Sequence, residues 1–158
     1  VLGVFGFRRV RSQLAPTNGA MGYGVPAAIA AKLIAPQRTV IAFAGDGCFM
    51  MNGQELATAA QYGANVIVIV VNNSMFGTIR MHQEREYPRR VVATELQNPD
   101  FITLANAYGA HAEQVVKTEE FAEAFNRARS AGKPALIEIK LDKEIISPNT
   151  TLTALRNR

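Results

Sequence analysis

The sequence predicts a doubly wound α/β fold, in which helices cover both faces of a mainly parallel sheet. Strand-like runs alternate with helical segments of about ten to fifteen residues, a pattern typical of parallel sheets. The chain has 158 residues, 48% of them hydrophobic, which suits one domain with a sizeable core. No linker, repeat or low-complexity tract divides it, so we expect a single domain over 1–158.

Each element follows from local signals. Four runs predict strands: Thr39–Ala44, Val66–Val71, His111–Val116 and Ala135–Lys140. Helices are predicted over 22–34, 52–63, 98–108 and 119–131. Asn52 is expected to cap the second helix in a capping box with Glu55. Asn98 is expected to cap the third, with Pro99 at its first position.

Charge and composition exclude several classes of function. The net charge is +4, but the basic side chains are scattered in three small groups without a nucleic-acid-binding motif. These groups are Arg8, Arg9 and Arg11; Arg80, Arg85, Arg89 and Arg90; Arg156 and Arg158. We expect them to be solvated or to contact missing domains, and we expect no nucleic-acid partner.

The sequence also lacks membrane and export signals. No apolar stretch is long enough to span a membrane, so no membrane partner is expected. The start, Val1–Phe7, lacks a charged leader and an initiator Met, so we expect it to lie inside a longer polypeptide. A single Cys rules out an internal disulfide and is compatible with the cytoplasm.

The most informative motif is Gly45-Asp46-Gly47, followed after twenty-four residues by Asn72-Asn73. Each half ends a predicted strand, the first of which, Thr39–Ala44, is expected to be buried, and parallel strands share their carboxyl edge. We therefore expect the oxygens of Asp46 and Asn73 to lie near each other. One carboxylate with amide and main-chain oxygens suits Mg²⁺ and a phosphate co-ligand. Taken separately, each half would be read as an ordinary turn.

This motif and its flanks resemble the thiamine diphosphate (ThDP) enzymes that include acetolactate synthase, benzoylformate decarboxylase and pyruvate decarboxylase. The segment Pro16–Ala28 and the Asn98-Pro99-Asp100-Phe101 sequence extend the resemblance. It runs from about Gln13 to Leu141 and matches the C-terminal diphosphate-binding domain, leaving 142–158 as a tail. It implies Mg²⁺ and ThDP as cofactors.

The resemblance assigns roles to individual residues. The Mg²⁺ ligands would be Asp46, the Asn73 side chain and the main-chain carbonyl of Met75. Gly47 and Cys48 would offer backbone N–H groups to the diphosphate, and the thiol of Cys48 is expected to pack rather than react. Three further positions would line the cofactor: Phe76, Gly77 and Thr78.

Two residues would control the conformation of the cofactor. Met21 matches the bulky residue that folds the two rings of thiamine into a V, which brings the 4′-amino group close to the C2 proton. The carbonyl of Gly19 would hold that amino group. The alternative for Met21 is ordinary core packing.

Departures from the family leave the substrate open. Ile79 stands where pyruvate decarboxylase-type relatives carry a catalytic Glu, and His82 stands where biosynthetic acetolactate synthases carry a Trp. His82 is interpreted equally well as a substrate contact or as a solvated side chain. His111, before a strand, is expected to be structural.

The function implied by the resemblance is that of a 2-oxo acid carboligase or decarboxylase, most like acetolactate synthase. The alternatives are a benzoylformate decarboxylase-like enzyme and a non-catalytic Mg²⁺–nucleotide or interaction module. The Glu that contacts N1′ of the cofactor belongs to a pyrimidine-binding domain that this chain lacks, so the fragment is expected to be inactive alone. The implied partners are that domain and a middle domain in a homodimer or homotetramer, with FAD, where used, bound by the middle domain.

Overall fold

A sheet of four parallel strands lies at the centre of residues 12–147 and 149–157, the part of the chain that the computed structural model describes. Its strands are β1 (Ile41–Gly45), β2 (Ile67–Asn72), β3 (His111–Val115) and β4 (Ala135–Lys140). The helices are α1 (Gly24–Ile34), α2 (Asp46–Asn52), α3 (Glu55–Gln61), α4 (Gly77–Glu86), α5 (Phe101–Ala107), α6 (Phe121–Ser130) and α7 (Leu152–Arg156). The spatial order of the sheet is β1–β2–β4–β3, which confirms the predicted parallel α/β fold.

The register brings the carboxyl ends of the strands to one level. Gly45 of β1 pairs with Val71 of β2, and Asn72 pairs with Lys140 of β4. Asp46, the next residue after Gly45, therefore lies beside Asn72. The shared edge expected from the sequence is present.

Alternating side chains on the strands build a core on each face of the sheet. Val68, Val70 and Leu136 pack with apolar residues of α1, α2, α3 and α5. Ile67, Ile69 and Ile137 face the opposite way and pack with α6. Helices on both faces are the defining feature of a doubly wound sheet.

The first strand differs from the sequence expectation. The run Thr39–Ala44 was expected to form a buried strand, yet alternate residues of β1 are exposed, with Ile41 at 39% and Phe43 at 43%. β1 is an edge strand, and α6 lies over β3 and β4 rather than over β1. Only the α1–α2 face of β1 is fully covered.

Both predicted asparagine caps are wrong. Asn52 is the last residue of α2, and a separate helix, α3, begins after Gln54. The cap of α5 is Asp100, whose Oδ1 accepts hydrogen bonds from the backbone N–H groups of Ile102 and Thr103. Asp100 stands directly before the first helical residue, so its carboxylate reaches those donors, and Asn98 contacts other partners.

The tail 142–158 contains folded elements. Ile145–Ser147 (β5) and Thr150–Thr151 (β6) form a small antiparallel pair that leads into α7. α7 packs against α4, the helix that follows the Asn72-Asn73 motif. The tail is therefore joined to the part of the fold that carries the candidate site.

The three groups of basic residues noted in the sequence differ in their surroundings. Arg8, Arg9, Arg11 and Arg158 lie outside the described residues. The expectation of solvation is wrong for Arg80, which is only 6% exposed because its guanidinium pairs with the buried carboxylate of Glu84. Within residues 12–147 and 149–157, every helix is too short or too polar to cross a membrane.

Candidate functional site

Asp46 is a buried carboxylate at the start of a helix. Gly45 is extended, with φ −66° and ψ 158°, and α2 begins at the next residue. The Asp46 side chain is 2% exposed, and each oxygen accepts one hydrogen bond. Oδ1 accepts from the backbone N–H of Gly47 at 2.9 Å, and Oδ2 accepts from Nδ2 of Asn98 at 2.8 Å. The carboxylate is thus held in one orientation at the edge of the sheet.

The two asparagines after β2 have different surroundings. Asn72 is 2% exposed, and its Nδ2 donates to Oε1 of Glu138 at 2.6 Å. Its Oδ1 accepts from the backbone N–H of Ser74 at 2.9 Å and from Nδ2 of Asn98 at 3.0 Å. Asn73 is half-buried, and its Oδ1 accepts from the backbone N–H of Met75 at 3.3 Å. Asn72 is a buried structural residue, whereas Asn73 lies closer to solvent.

A tight turn separates Asn73 from Met75. Ser74 has φ 55°, in the left-handed region that non-glycine residues rarely adopt. Its backbone N–H and its hydroxyl both donate to Oδ1 of Asn72, at 2.9 and 3.3 Å, which supports this conformation. Met75 then forms an antiparallel bridge with Glu95 and is 2% exposed. The backbone that carries Asn73 and Met75 is fixed on both sides.

Two glycines allow their neighbours to pack closely against the backbone. A Cβ at Gly47 would lie 2.4 Å from Cε1 of Phe76, and a Cβ at Gly77 would lie 2.9 Å from Nδ2 of Asn73. Neither position could carry a side chain without displacing its neighbour. Because both lie at helix starts, their backbone N–H groups are close to the sheet edge, where an anion would be favoured.

The neighbours of these glycines were also predicted to contact the cofactor. Phe76 is the N-terminal cap residue of α4 and is held by its N–H, which donates to the carbonyl of Thr94 at 2.9 Å. Thr78 is exposed on the first turn of α4. Cys48 is half-buried and packs against the apolar core, which agrees with the packing role expected for its thiol.

A glycine-rich loop lies at the other end of α2. Gly19 and Gly22 have φ values of +69° and +81°, conformations that favour glycine. The carbonyl of Gly22 accepts a hydrogen bond from Nδ2 of Asn52 at 2.9 Å. Met21 between them is 39% exposed. Since α2 has seven residues, the loop and Asp46 are about 10 Å apart along its axis.

His82 does not share the environment of these residues. It lies on the exposed side of α4, where Nδ1 accepts a hydrogen bond from Nη2 of Arg85 at 2.7 Å. Its role as a substrate contact stays a prediction. His111, expected to be structural, begins β3 and its Nε2 lies 2.7 Å from Oε1 of Glu113.

A polar network continues from Asn72 across the sheet edge. Glu138 of β4 is 2% exposed and accepts hydrogen bonds from Asn72, Gln114 and Lys140. Burial alone would raise the pKa of Glu138, but the hydrogen bonds from Gln114, Lys140 and Asn72 outweigh it and hold the pKa below its usual value. This buried carboxylate is therefore charged and fully paired.

An open pocket of about 460 Å³ lies beside this network rather than over Asp46. Its lining residues come from the start of α5 and from β3 and β4: Asn98, Pro99, Asp100, Ile102, Gln114, Glu138 and Lys140. Sequence reasoning missed Asn98 and Glu138 as parts of the site. Asn98 was interpreted as a helix cap. Glu138 is a single acidic residue within an apolar strand, and that sequence context did not indicate a functional role.

Comparisons with known proteins identify relatives of this chain. Residues 2–139 match a family model described as "Thiamine pyrophosphate enzyme, C-terminal TPP binding domain". The chain is 38% identical over 125 residues to a probable acetolactate synthase large subunit of Methanocaldococcus jannaschii, covering 78% of this chain and 21% of the relative. It is 42% identical over 126 residues to the acetolactate synthase large subunit of Corynebacterium glutamicum, covering 76% of this chain and 20% of the relative.

A solved structure is also similar. The thiamine diphosphate-dependent 4-hydroxybenzoylformate decarboxylase of Rhodococcus jostii RHA1 superposes with a TM-score of 0.75 at 35% identity, covering 80% of this chain and 24% of that one. The chain thus spans about a fifth of the length of the curated relatives it matches.

Proposed function

This chain belongs to the thiamine pyrophosphate enzyme family as a C-terminal ThDP-binding domain, and we propose that it binds the cofactor's diphosphate through Mg²⁺ within an acetolactate synthase-like enzyme. The observation that carries the proposal is the convergence of Asp46 and Asn73 at adjoining strand ends. They are 27 positions apart in the sequence, and the pairing of Gly45 with Val71 at the ends of β1 and β2 supports their meeting at one edge.

The donor set fits Mg²⁺, a hard cation that prefers oxygen ligands. Asp46 supplies a buried carboxylate, Asn73 supplies an amide oxygen and Met75 supplies a main-chain carbonyl. The hydrogen bonds to Asp46 and the bridge at Met75 hold two of the three ligands in place before the metal binds. The N–H of Cys48 would donate to the diphosphate, whereas the N–H of Gly47, which was expected to do the same, donates to Oδ1 of Asp46. Phe76, Gly77 and Thr78 would line the same region.

The loop Gly19–Gly22 holds the other end of the cofactor. Met21 would keep the two rings folded, and the carbonyl of Gly19 would hold the amino group of the pyrimidine. The bond between Asn52 and Gly22 fixes this loop on α2, whose other end carries Asp46. When bound, ThDP supplies the electron sink that decarboxylation of a 2-oxo acid requires.

Acetolactate synthesis, from two pyruvates to acetolactate and CO₂, is the reaction that the relatives named above favour. Decarboxylation of an aromatic 2-oxo acid is the second candidate, supported by the similarity to the Rhodococcus enzyme at 35% identity. Ile79 departs from the pyruvate decarboxylase branch, and His82 departs from the biosynthetic acetolactate synthases themselves, so these two positions do not identify the substrate.

The remaining domains and setting of the enzyme are also proposals. Because the chain spans about a fifth of its relatives, we place a pyrimidine-binding domain and a middle domain in the same enzyme, assembled as a homodimer or homotetramer. FAD, where used, would bind the middle domain. The half-buried single thiol of Cys48 is compatible with a cytoplasmic location.

The isolated 158-residue chain tests whether cofactor binding and turnover depend on different domains. We expect calorimetric titration to show ThDP binding that depends on Mg²⁺, because the metal ligands lie within this chain. We expect no turnover of pyruvate or benzoylformate, because the glutamate for N1′ lies on a missing domain. Turnover above that of ThDP in buffer would show that a glutamate of this chain makes that contact.

Met21→Ala should slow exchange of the C2 proton of bound ThDP into D₂O, followed by NMR on the enzyme that carries this domain. A poorly folded cofactor places the amino group farther from C2, and a displacement of about 1 Å costs roughly 100-fold in such steps. Diphosphate affinity should change little, since the metal supplies most of it.

The matched control is Met50→Ala, which removes a similarly exposed methionine from α2. It should leave the exchange rate unchanged. An unchanged rate in Met21→Ala itself would assign that side chain to packing alone.

A further inference from the structure

The amide of Asn98 connects two separate strand ends. Asn98 lies two residues before the cap of α5, and its Nδ2 donates to Oδ2 of Asp46 at 2.8 Å and to Oδ1 of Asn72 at 3.0 Å. Asp46 follows β1 and Asn72 ends β2. One side chain from a third segment therefore bridges the two halves of the motif.

Both hydrogens of this amide are used, and both acceptors are buried. A carboxamide nitrogen has two N–H donors, and Asp46 and Asn72 are each 2% exposed. Removing the donor would leave two buried oxygens each short of one partner, which is costly. The start of α5 does not need Asn98, because Asp100 caps that helix.

We propose that Asn98 is a positioning residue for the metal site, an inference that rests on the proposed Mg²⁺–ThDP function. On one side it fixes the rotation of the Asp46 carboxylate, together with the N–H of Gly47. On the other side it holds Asn72, whose Nδ2 is already bound to Glu138.

The position of Asn72 also affects, through the backbone, the two proposed ligands that follow it, Asn73 and Met75. Oδ1 of Asn72 also accepts from the N–H and the hydroxyl of Ser74, the residue in the left-handed turn. That turn separates Asn73 from Met75, so the position of Asn72 sets where both of these ligands lie. Asn98 therefore acts on all three ligands without binding the metal.

Asn98→Ala in the full 158-residue chain should weaken Mg²⁺ binding, measured by titration in the presence of ThDP, with Mn²⁺ and EPR as a second probe. Loss of a residue that orients metal ligands typically weakens metal binding about 10- to 100-fold. Affinity for ThDP at saturating Mg²⁺ should recover, because the residues that contact the diphosphate are unchanged. A role in folding alone would lower the melting temperature and leave the metal affinity unchanged.

The matched control is Asn106→Ala, which removes an exposed asparagine from α5 and should leave Mg²⁺ affinity at the wild-type value. Wild-type Mg²⁺ affinity in Asn98→Ala, or an equal loss in Asn106→Ala, would overturn the proposal.

A measurement without metal separates this proposal from the proposed function. In the wild-type chain the side-chain amide hydrogens of Asn98 should exchange slowly with solvent by NMR, and those of Asn106 should exchange quickly. Asp46→Ala should speed the exchange at Asn98. A wild-type chain that binds no Mg²⁺ would count against the proposed function, whereas fast exchange at Asn98 in that chain would refute the bridge.

Discussion

Replacing Asp46 with alanine should abolish Mg²⁺-dependent retention of ThDP while the domain stays folded. Asp46 is the only carboxylate in the proposed ligand set, so its loss removes the negative charge that balances the cation. Loss of a residue that only orients a metal ligand weakens metal binding by up to about 100-fold. Because Asp46 is itself a proposed ligand, we expect ThDP affinity to fall at least about 100-fold. Calorimetric titration of the chain with ThDP, at fixed Mg²⁺, measures the effect.

Stability should change little in this variant. The carboxylate at the start of α2 contributes about 0.3–1 kcal/mol through the helix dipole. The variant also takes one acceptor from the N–H of Gly47 and one from Nδ2 of Asn98, and relief from burying a charge offsets these losses. Circular dichroism and thermal melting should therefore match the wild-type chain closely.

Asp100→Ala is the matched control for this experiment. It removes the exposed carboxylate that caps α5, two residues after Asn98. Loss of such a cap costs about 1 kcal/mol of stability, but it should leave ThDP retention intact. Wild-type ThDP affinity in Asp46→Ala would show that the metal is held elsewhere.

Glu84→Gln should destabilise the chain by about 3–5 kcal/mol, the cost of removing one partner from a buried ion pair. Glu84 is 1% exposed and accepts hydrogen bonds from Arg80 and Arg156 at 2.7 and 2.9 Å, and from the backbone N–H of Arg89 at 3.0 Å. A glutamine would remove the counter-charge that Arg80 and Arg156 share, and Arg80 would keep only its longer pair with Glu95 at 3.5 Å. Urea unfolding followed by circular dichroism measures the loss.

Glu86→Gln serves as the control, because it makes the same change two residues away. Glu86 is exposed and pairs with the exposed Arg85, so its replacement should cost at most about 1 kcal/mol. Equal losses in the two variants would mean that the Glu84 pairs do not stabilise the link between α4 and α7.

The pH dependence of the Glu84 effect has a definite sign. The hydrogen bond from Arg156 is the largest influence on its pKa and burial opposes it, while Arg89 and Arg80 lower it further, to about 2 from an ordinary 4.5. Since the folded pKa lies below the unfolded one, the stabilisation is present above about pH 4.5 and is lost as the pH falls toward 2. The stability difference between wild type and Glu84→Gln should shrink over that range.

The Asp46–Asn73 pair could be predicted from sequence because each residue follows a strand signal and parallel strands end together. The partners of Asn98 could not be predicted in this way. An asparagine before a helix is usually a cap, and whether its amide reaches Asp46, 52 positions away, depends on the packing of α5 against the sheet. Local pattern carries no information on that packing.

The same limit applies to charged side chains. Arg80 and Glu84 are four residues apart on one helix, so an ion pair between them could have been anticipated. Their burial depends on Arg156, 72 positions from Glu84, in a tail for which the sequence suggested no helix. The exposed face of β1 was missed for a related reason, because an apolar run shows a strand but not whether that strand is at an edge.

The number of residues between Asp46 and Asn72 matches the length of chain that is needed to cross the sheet and return. From Asp46 the chain runs back along the sheet through α2 and α3, of seven residues each, and returns along β2, of six residues. Fourteen helical residues rise about 21 Å, and six strand residues span about 20 Å. The outward and return paths match, so the number of intervening residues is set by the depth of the sheet. An insertion within β2 that left its start in register with β1 would carry the second asparagine past the edge, so the spacing carries information beyond residue type.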